Sequence, residues 1–155
     1  MPLQRLSCIL PKNRAQKARS QVQSIAATPR SSLKGGTPTV VIVDDDPAVC
    51  GSLKFSLELE GFGVRAYSGA AELLCADDLA ACDCFVIDQR TPAMSGMELI
   101  AKLRDLKVET PAILLISHPN AALSARAAIA GVPVVEKPLL SNTLLDKIRE
   151  ACARN

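Results

Sequence analysis

Aromatic side chains are nearly absent from this sequence. Its 155 residues include no tryptophan, one tyrosine, three phenylalanines and a single histidine, His118. Without rings to stack on bases, single-stranded nucleic acid is a poor candidate partner. No apolar run is long enough to span a bilayer, and no secretory apolar segment precedes the body. Acid is missing altogether from residues 1–38, which carry Arg5, Lys12, Arg14, Lys17, Arg19, Arg30 and Lys34. The remaining 11 basic residues face all 16 acidic ones, so residues 39–155 carry a net charge of −5. Charge therefore splits the chain into a basic segment, 1–38, and a mildly acidic body, 39–155.

The basic segment mixes Arg, Lys, Gln, Ser and Pro with few large apolar residues after Leu10, a composition of disorder. A solvated tail is the favoured reading. A basic arm for nucleic acid or anionic lipid and an organelle transit peptide are the rivals. Six cysteines are present: Cys8, Cys50, Cys75, Cys82, Cys84 and Cys152. A body able to build its own core does not need a disulfide framework. Cys50, Cys75 and Cys152 fall on or near apolar helix faces, where a thiol behaves as a small hydrophobe. Cys82-Asp83-Cys84 is at most half of a zinc site, since no second Cys/His pair lies nearby.

From residue 39 onward, strand and helix patterns alternate. Apolar, β-branched runs at 39–43, 63–67, 83–88, 111–117 and 134–135 read as strands. Helical patterns follow at 47–60, 69–75, 96–107, 121–130 and 141–153. Asp46 with Pro47 opens the first helix and Gly61 closes it. Ser68 is expected to cap the second and Ser95 the third. Met97, Ile100, Leu103 and Leu106 should form the inner face of the third. Strict alternation argues a parallel sheet covered by helices on both faces.

Polar groups end four of the strands: Asp44 and Asp45 after the first, Asp88 after the third, Ser117 after the fourth, and Glu136-Lys137-Pro138 after the fifth. Parallel strands share one carboxyl edge, so these groups should converge where open α/β sheets bind ligands. Three carboxylates close together repel unless a cation joins them. Mg²⁺, with one or two carboxylates and phosphate oxygens as ligands, would resolve that conflict. A nearby lysine and a hydroxyl suit a phosphoryl group. An aspartate can itself be the nucleophile and form an acyl phosphate. Read singly, Asp46 is a helix cap, Ser117 a loop hydroxyl and Lys137 a solvated surface charge; four such groups on one rim argue against coincidence.

Residues 39–153 resemble the receiver domain of two-component response regulators, most closely those of the nitrogen-fixation and LuxR-type group. The resemblance rests on Val43-Asp44-Asp45-Asp46, on Asp88-Gln89-Arg90-Thr91-Pro92-Ala93-Met94-Ser95-Gly96, on Ser117 and on Glu136-Lys137-Pro138. It implies a flavodoxin-like α/β fold with strand order 2-1-3-4-5. It implies that Asp88 accepts a phosphoryl group from a sensor histidine kinase or a histidine phosphotransfer protein. Asp45 would ligate Mg²⁺ directly, with Asp44 assisting and the Arg90 backbone carbonyl and Asp88 as further ligands. Ser117 would bond a phosphoryl oxygen, Lys137 would pair with Asp88 or its phosphate, and the Lys137-Pro138 bond would be cis.

Three departures from the family pattern stand out: Val134 where an aromatic is usual, His118 after the switch hydroxyl, and a segment before Lys137 about two residues short. With no room for an output domain after Asn155, the expected protein is a cytoplasmic stand-alone receiver. It would not be an enzyme, and would act through a downstream protein target or by phosphate transfer, without membrane or nucleic acid. A phosphate-independent pseudo-receiver is the alternative. A DNA-binding regulator using the tail ranks lower. So does an aspartyl phosphatase, because Arg90 stands where the haloacid-dehalogenase pattern has a second aspartate.

Overall fold

A computed structural model describes residues 36–154. The readings that concern residues 1–35 fall outside them. Five strands and five helices alternate: β1 Thr39–Val43, α1 Pro47–Leu59, β2 Gly63–Tyr67, α2 Ala70–Leu74, β3 Cys84–Asp88, α3 Gly96–Asp105, β4 Ala112–Ile116, α4 Ala121–Ile129, β5 Val134–Glu136 and α5 Thr143–Ala153. The strands form one parallel sheet in the order β2-β1-β3-β4-β5. The expected α/β architecture and strand order are both present.

Side chains alternate across a strand, and here the alternation separates two apolar layers. Val41, Val43, Phe85, Ile87, Leu114 and Ile116 face α2, α3 and α4, meeting Leu73, Leu99, Leu103 and Ala127. Val40, Ile42, Val86, Ile113, Leu115 and Val135 face α1 and α5, meeting Leu53, Leu57, Leu144 and Ile148. Both faces of the central strands are dry, which is why their sequences read as unbroken apolar runs. Each fully buried Leu, Ile or Phe contributes about 1.5–3 kcal/mol. Aliphatic residues supply most of this core.

Helix ends follow local chemistry. The Asp46 carboxylate accepts from the Ala48 and Val49 amides and caps α1. Ser95 and Glu98 form a reciprocal capping box on α3. Two expectations need correction. Ser68 does not cap α2: its N–H and hydroxyl both donate to Glu72, and Gly69 takes the cap position without a side-chain bond. Leu106 is 53% exposed, because α3 stops at Asp105 and the turn carries Leu106 away from the core. Leu99, unassigned by the spacing, takes its place as a fully buried residue.

Candidate functional site

With this strand order the chain leaves β1 toward one side of the sheet and β3 toward the other. The carboxyl ends of these two adjacent strands therefore open onto a crevice. Asp44 and Asp45 follow β1, and Asp88 is the last residue of β3. One carboxylate oxygen from each lies within 4.8 Å of the others, the only such cluster of metal-ligand types among the described residues. Asp44 and Asp88 are buried, 2% and 4% exposed, whereas Asp45 faces solvent.

Lys137 comes from the far side of the sheet, just after β5. Its Nζ lies 2.6 Å from Asp44 Oδ2 and 2.9 Å from Asp88 Oδ1. Burial alone would lower the pKa of this amine, but its hydrogen bonds to Asp44 and Asp88 and their charges outweigh burial and raise it. The remaining oxygens are held by the backbone. The Asp46 amide donates to Asp44 Oδ1 at 2.9 Å, and the Arg90 amide donates to Asp88 Oδ2 at 2.9 Å. Two buried carboxylates are thus fixed by one ammonium and two amides. The Lys137-Pro138 peptide that follows is cis.

Three carboxylates against one lysine leave the cluster with a surplus of negative charge. Asp45 holds no hydrogen bond or ion pair among the described residues. A hard cation with oxygen ligands fits that donor set, since it neutralises the surplus and uses the uncommitted Asp45. The Arg90 amide binds Asp88, which places the adjoining Arg90 carbonyl in the same loop.

Asp88 also lines a cavity of about 240 Å³. Asp88, Arg90, Ser117, His118, Asn120 and Leu123 are among its lining residues. Ser117 therefore lines the same cavity as Asp88, and Lys137 is not among the lining residues.

Spacing alone did not disclose two contributors. Gly96 reads in the sequence as loop punctuation. In the structure it begins α3 where no Cβ fits: a Cβ there would lie 2.6 Å from the Asp88 carbonyl oxygen and 2.7 Å from Leu114 Cδ1. The Gly96 amide also donates to the Gln89 carbonyl at 3.0 Å. Cys50, on α1, donates its thiol to the Asp44 carbonyl at 3.3 Å. Nothing in the sequence pattern separates it from an ordinary apolar helix position.

The family model for the response regulator receiver domain matches residues 40–149. The transcriptional regulatory protein FixJ of Rhizobium meliloti is 36% identical over 114 residues, which cover 73% of this chain and 56% of FixJ. The response regulator protein TmoT of Ectopseudomonas mendocina is 32% identical over 123 residues, 79% of this chain and 56% of TmoT. Among solved structures, a CheY-like receiver domain protein from Methanospirillum hungatei superposes with a TM-score of 0.69 at 29% identity. That match covers 77% of this chain and 96% of the other. The chain spans about half the length of the curated relatives it matches.

Proposed function

The chain belongs to the response regulator receiver family of two-component signalling, and from that premise we propose that Asp88 is its phosphoacceptor. One observation carries the reading: Asp88 is 4% exposed, yet it lies within 4.8 Å of Asp44 and Asp45 and 2.9 Å from Lys137. A structural carboxylate would not need that company.

In the proposed step, an Asp88 oxygen attacks the phosphorus of a phosphohistidine on a sensor kinase or phosphotransfer protein. A P–O bond forms, the P–N bond breaks, and its electron pair stays on the imidazole nitrogen. Lys137, 2.9 Å from Asp88, holds its charge beside the phosphoryl oxygens as they arrive. The Arg90 amide orients the carboxylate. Ser117, across the cavity, donates its hydroxyl to a phosphoryl oxygen. Mg²⁺, held by Asp44, Asp45, Asp88 and the Arg90 carbonyl, would supply neutralisation of the transferring group's charge. The protein then acts in the cytoplasm as a signalling module rather than an enzyme. It signals by binding a downstream protein or by passing the phosphoryl group on. Among the described residues no helix is long and apolar enough to cross a membrane.

The test is phosphoryl uptake, read by intact mass after incubation with Mg²⁺ and acetyl phosphate. Wild type should gain one phosphoryl mass, and Asp88→Asn should gain none. Wild type given chelator before the donor should gain no phosphoryl mass. An adduct that survives in Asp88→Asn would move the acceptor elsewhere. Absence of any adduct, with a phosphohistidine donor and beryllofluoride also failing, would favour a phosphate-independent receiver.

A further inference from the structure

The loop between β3 and α3 carries Arg90, and one side chain in it has no part in the phosphoacceptor chemistry. We propose that Gln89 is a positioning residue for the cation site: its side chain braces that loop and so sets how tightly Asp44, Asp45 and Asp88 hold Mg²⁺. The proposal rests on the reading of Asp88 as an acceptor served by Mg²⁺.

Gln89 directly follows Asp88 and is tied at three points. Its amide donates to the Leu115 carbonyl of β4 at 2.8 Å, and its carbonyl accepts from the Gly96 amide at 3.0 Å. Its side-chain Oε1 accepts from the Met97 amide at 3.2 Å, a bond that spans eight residues. Gln89 and Met97 thus close a ring around the loop. Inside the ring, the Thr91 hydroxyl donates to the Met94 carbonyl, and Ala93 is left-handed at φ 65°. A residue with a Cβ is strained there, so the loop keeps this shape only because surrounding bonds impose it.

The four amides that open α3 show how unusual the tie is. Those of Ser95 and Glu98 are satisfied by the capping box. Those of Gly96 and Met97 both turn to Gln89. Helix starts are ordinarily served by their own cap residues or by water. Here half of the amides go to the residue beside Asp88.

One peptide unit connects that helix start to the acid cluster. The Gln89 carbonyl and the Arg90 amide belong to the same planar group. Its carbonyl accepts from Gly96, and its N–H donates to Asp88 Oδ2 at 2.9 Å. Rotation of the unit breaks both bonds. The Gln89 side chain holds the first turn of α3 against it. Without that brace the loop samples other shapes, and the Asp88 carboxylate and the Arg90 backbone lose their fixed placement. A cation then binds only the fraction of molecules that keeps it.

The experiment is a calorimetric Mg²⁺ titration, with no phosphodonor present, on wild type, Gln89→Met, Gln89→Glu and Ser95→Ala. Methionine matches glutamine in length but lacks the amide oxygen. Glutamate restores an oxygen acceptor, which a helix N-terminus favours. Ser95→Ala removes a cap from the same helix end and leaves residue 89 alone. One hydrogen bond of ordinary net strength corresponds to about a threefold to tenfold change in an equilibrium constant. Gln89→Met should weaken Mg²⁺ binding by that factor, and Gln89→Glu should bind at least as tightly as wild type. Ser95→Ala should unfold at a lower temperature and keep its Mg²⁺ affinity within about twofold. A loss of less than threefold in Gln89→Met would overturn the brace, as would a Gln89→Glu protein as weak as Gln89→Met. A larger loss in Ser95→Ala would overturn it too, by making helix capping alone the cause. Should Gln89→Met not fold, Gln89→Asn, one methylene too short to reach Met97, is titrated in its place. A wild type that binds no Mg²⁺ would overturn the brace and the cation site together; phosphoryl uptake, measured in parallel, reports separately on Asp88.

Discussion

At the scale of single residues, the site is a balance of charge and space. Lys137 is the only cation bonded to Asp44 and Asp88 among the described residues, at 2.6 and 2.9 Å. Lys137→Met would leave two buried carboxylates facing each other. The expected cost is about 2 kcal/mol, below the 3–5 of a fully enclosed pair, because the Lys137 side chain is 19% exposed. Adding millimolar Mg²⁺ should recover part of that loss, since a cation supplies the missing charge; urea unfolding with and without chelator measures both numbers. Gly96 is a matter of space. A methyl group 2.6 Å from the Asp88 carbonyl oxygen cannot be accommodated by rotating a side chain, because the neighbour is backbone. Gly96→Ala should destabilise by about 2 kcal/mol or more. It should also slow phosphoryl uptake, because the strand end carrying Asp88 must shift. A variant with full uptake at wild-type stability would refute that account of the glycine.

At the scale of elements, three helices end in one motif with different residues. α1, α3 and α4 each finish with paired bonds: Phe62 to Leu57 and Gly61 to Glu58, Val108 to Leu103 and Lys107 to Arg104, Val132 to Ala127 and Gly131 to Ala128. The apolar residue after each turn, Phe62, Val108 or Val132, is buried, as this C-terminal motif favours. The position before it is left-handed in all three, with φ of 89°, 63° and 68°. Gly61 and Gly131 adopt that conformation freely, whereas Lys107 has a Cβ that crowds its own carbonyl. Lys107→Gly should therefore stabilise the protein by about 1 kcal/mol, even after the entropy glycine adds to the unfolded chain. A rise in denaturant midpoint with unchanged slope would confirm it; a fall would mean the lysine side chain contributes more than its backbone costs.

At the scale of the whole molecule, unfolding exposes buried thiols as well as apolar area. Burial pushes Cys82 from an ordinary 9.0 up to about 11, and burial raises Cys84 as well. Both groups hold their protons in the folded state after they would have lost them in the unfolded chain. The folded state binds more protons between these limits, so stability is full below pH 9.0 and falls as pH climbs toward 11. Denaturant midpoints at pH 8 and pH 10.5 should show the loss, and a Cys82→Ala, Cys84→Ala variant should show a flatter slope over that interval. In the native protein, exposed Cys75 is open to alkylation while Cys82 and Cys84 are shielded.

Sequence by itself determined what is local or periodic. Apolar runs ending in Asp44 and Asp88 marked the central strands, because a strand covered on both faces has no polar side to show. Asp46, Ser95, Gly61 and Gly131 marked helix ends through bonds made within a few residues. Convergence of Asp44, Asp45, Asp88, Ser117 and Lys137 on one rim followed from strands running parallel, and the family motifs implied their order. Tertiary structure alone decided distances and vacancies of space. That Lys137 bonds both Asp44 and Asp88 depends on how closely β5 approaches across the sheet. That Gly96 must lack a side chain depends on how tightly α3 packs over β3. That His118 shares a cavity with Asp88 depends on the placement of the turn before α4. These are contacts between residues far apart in the chain, and no local pattern encodes them.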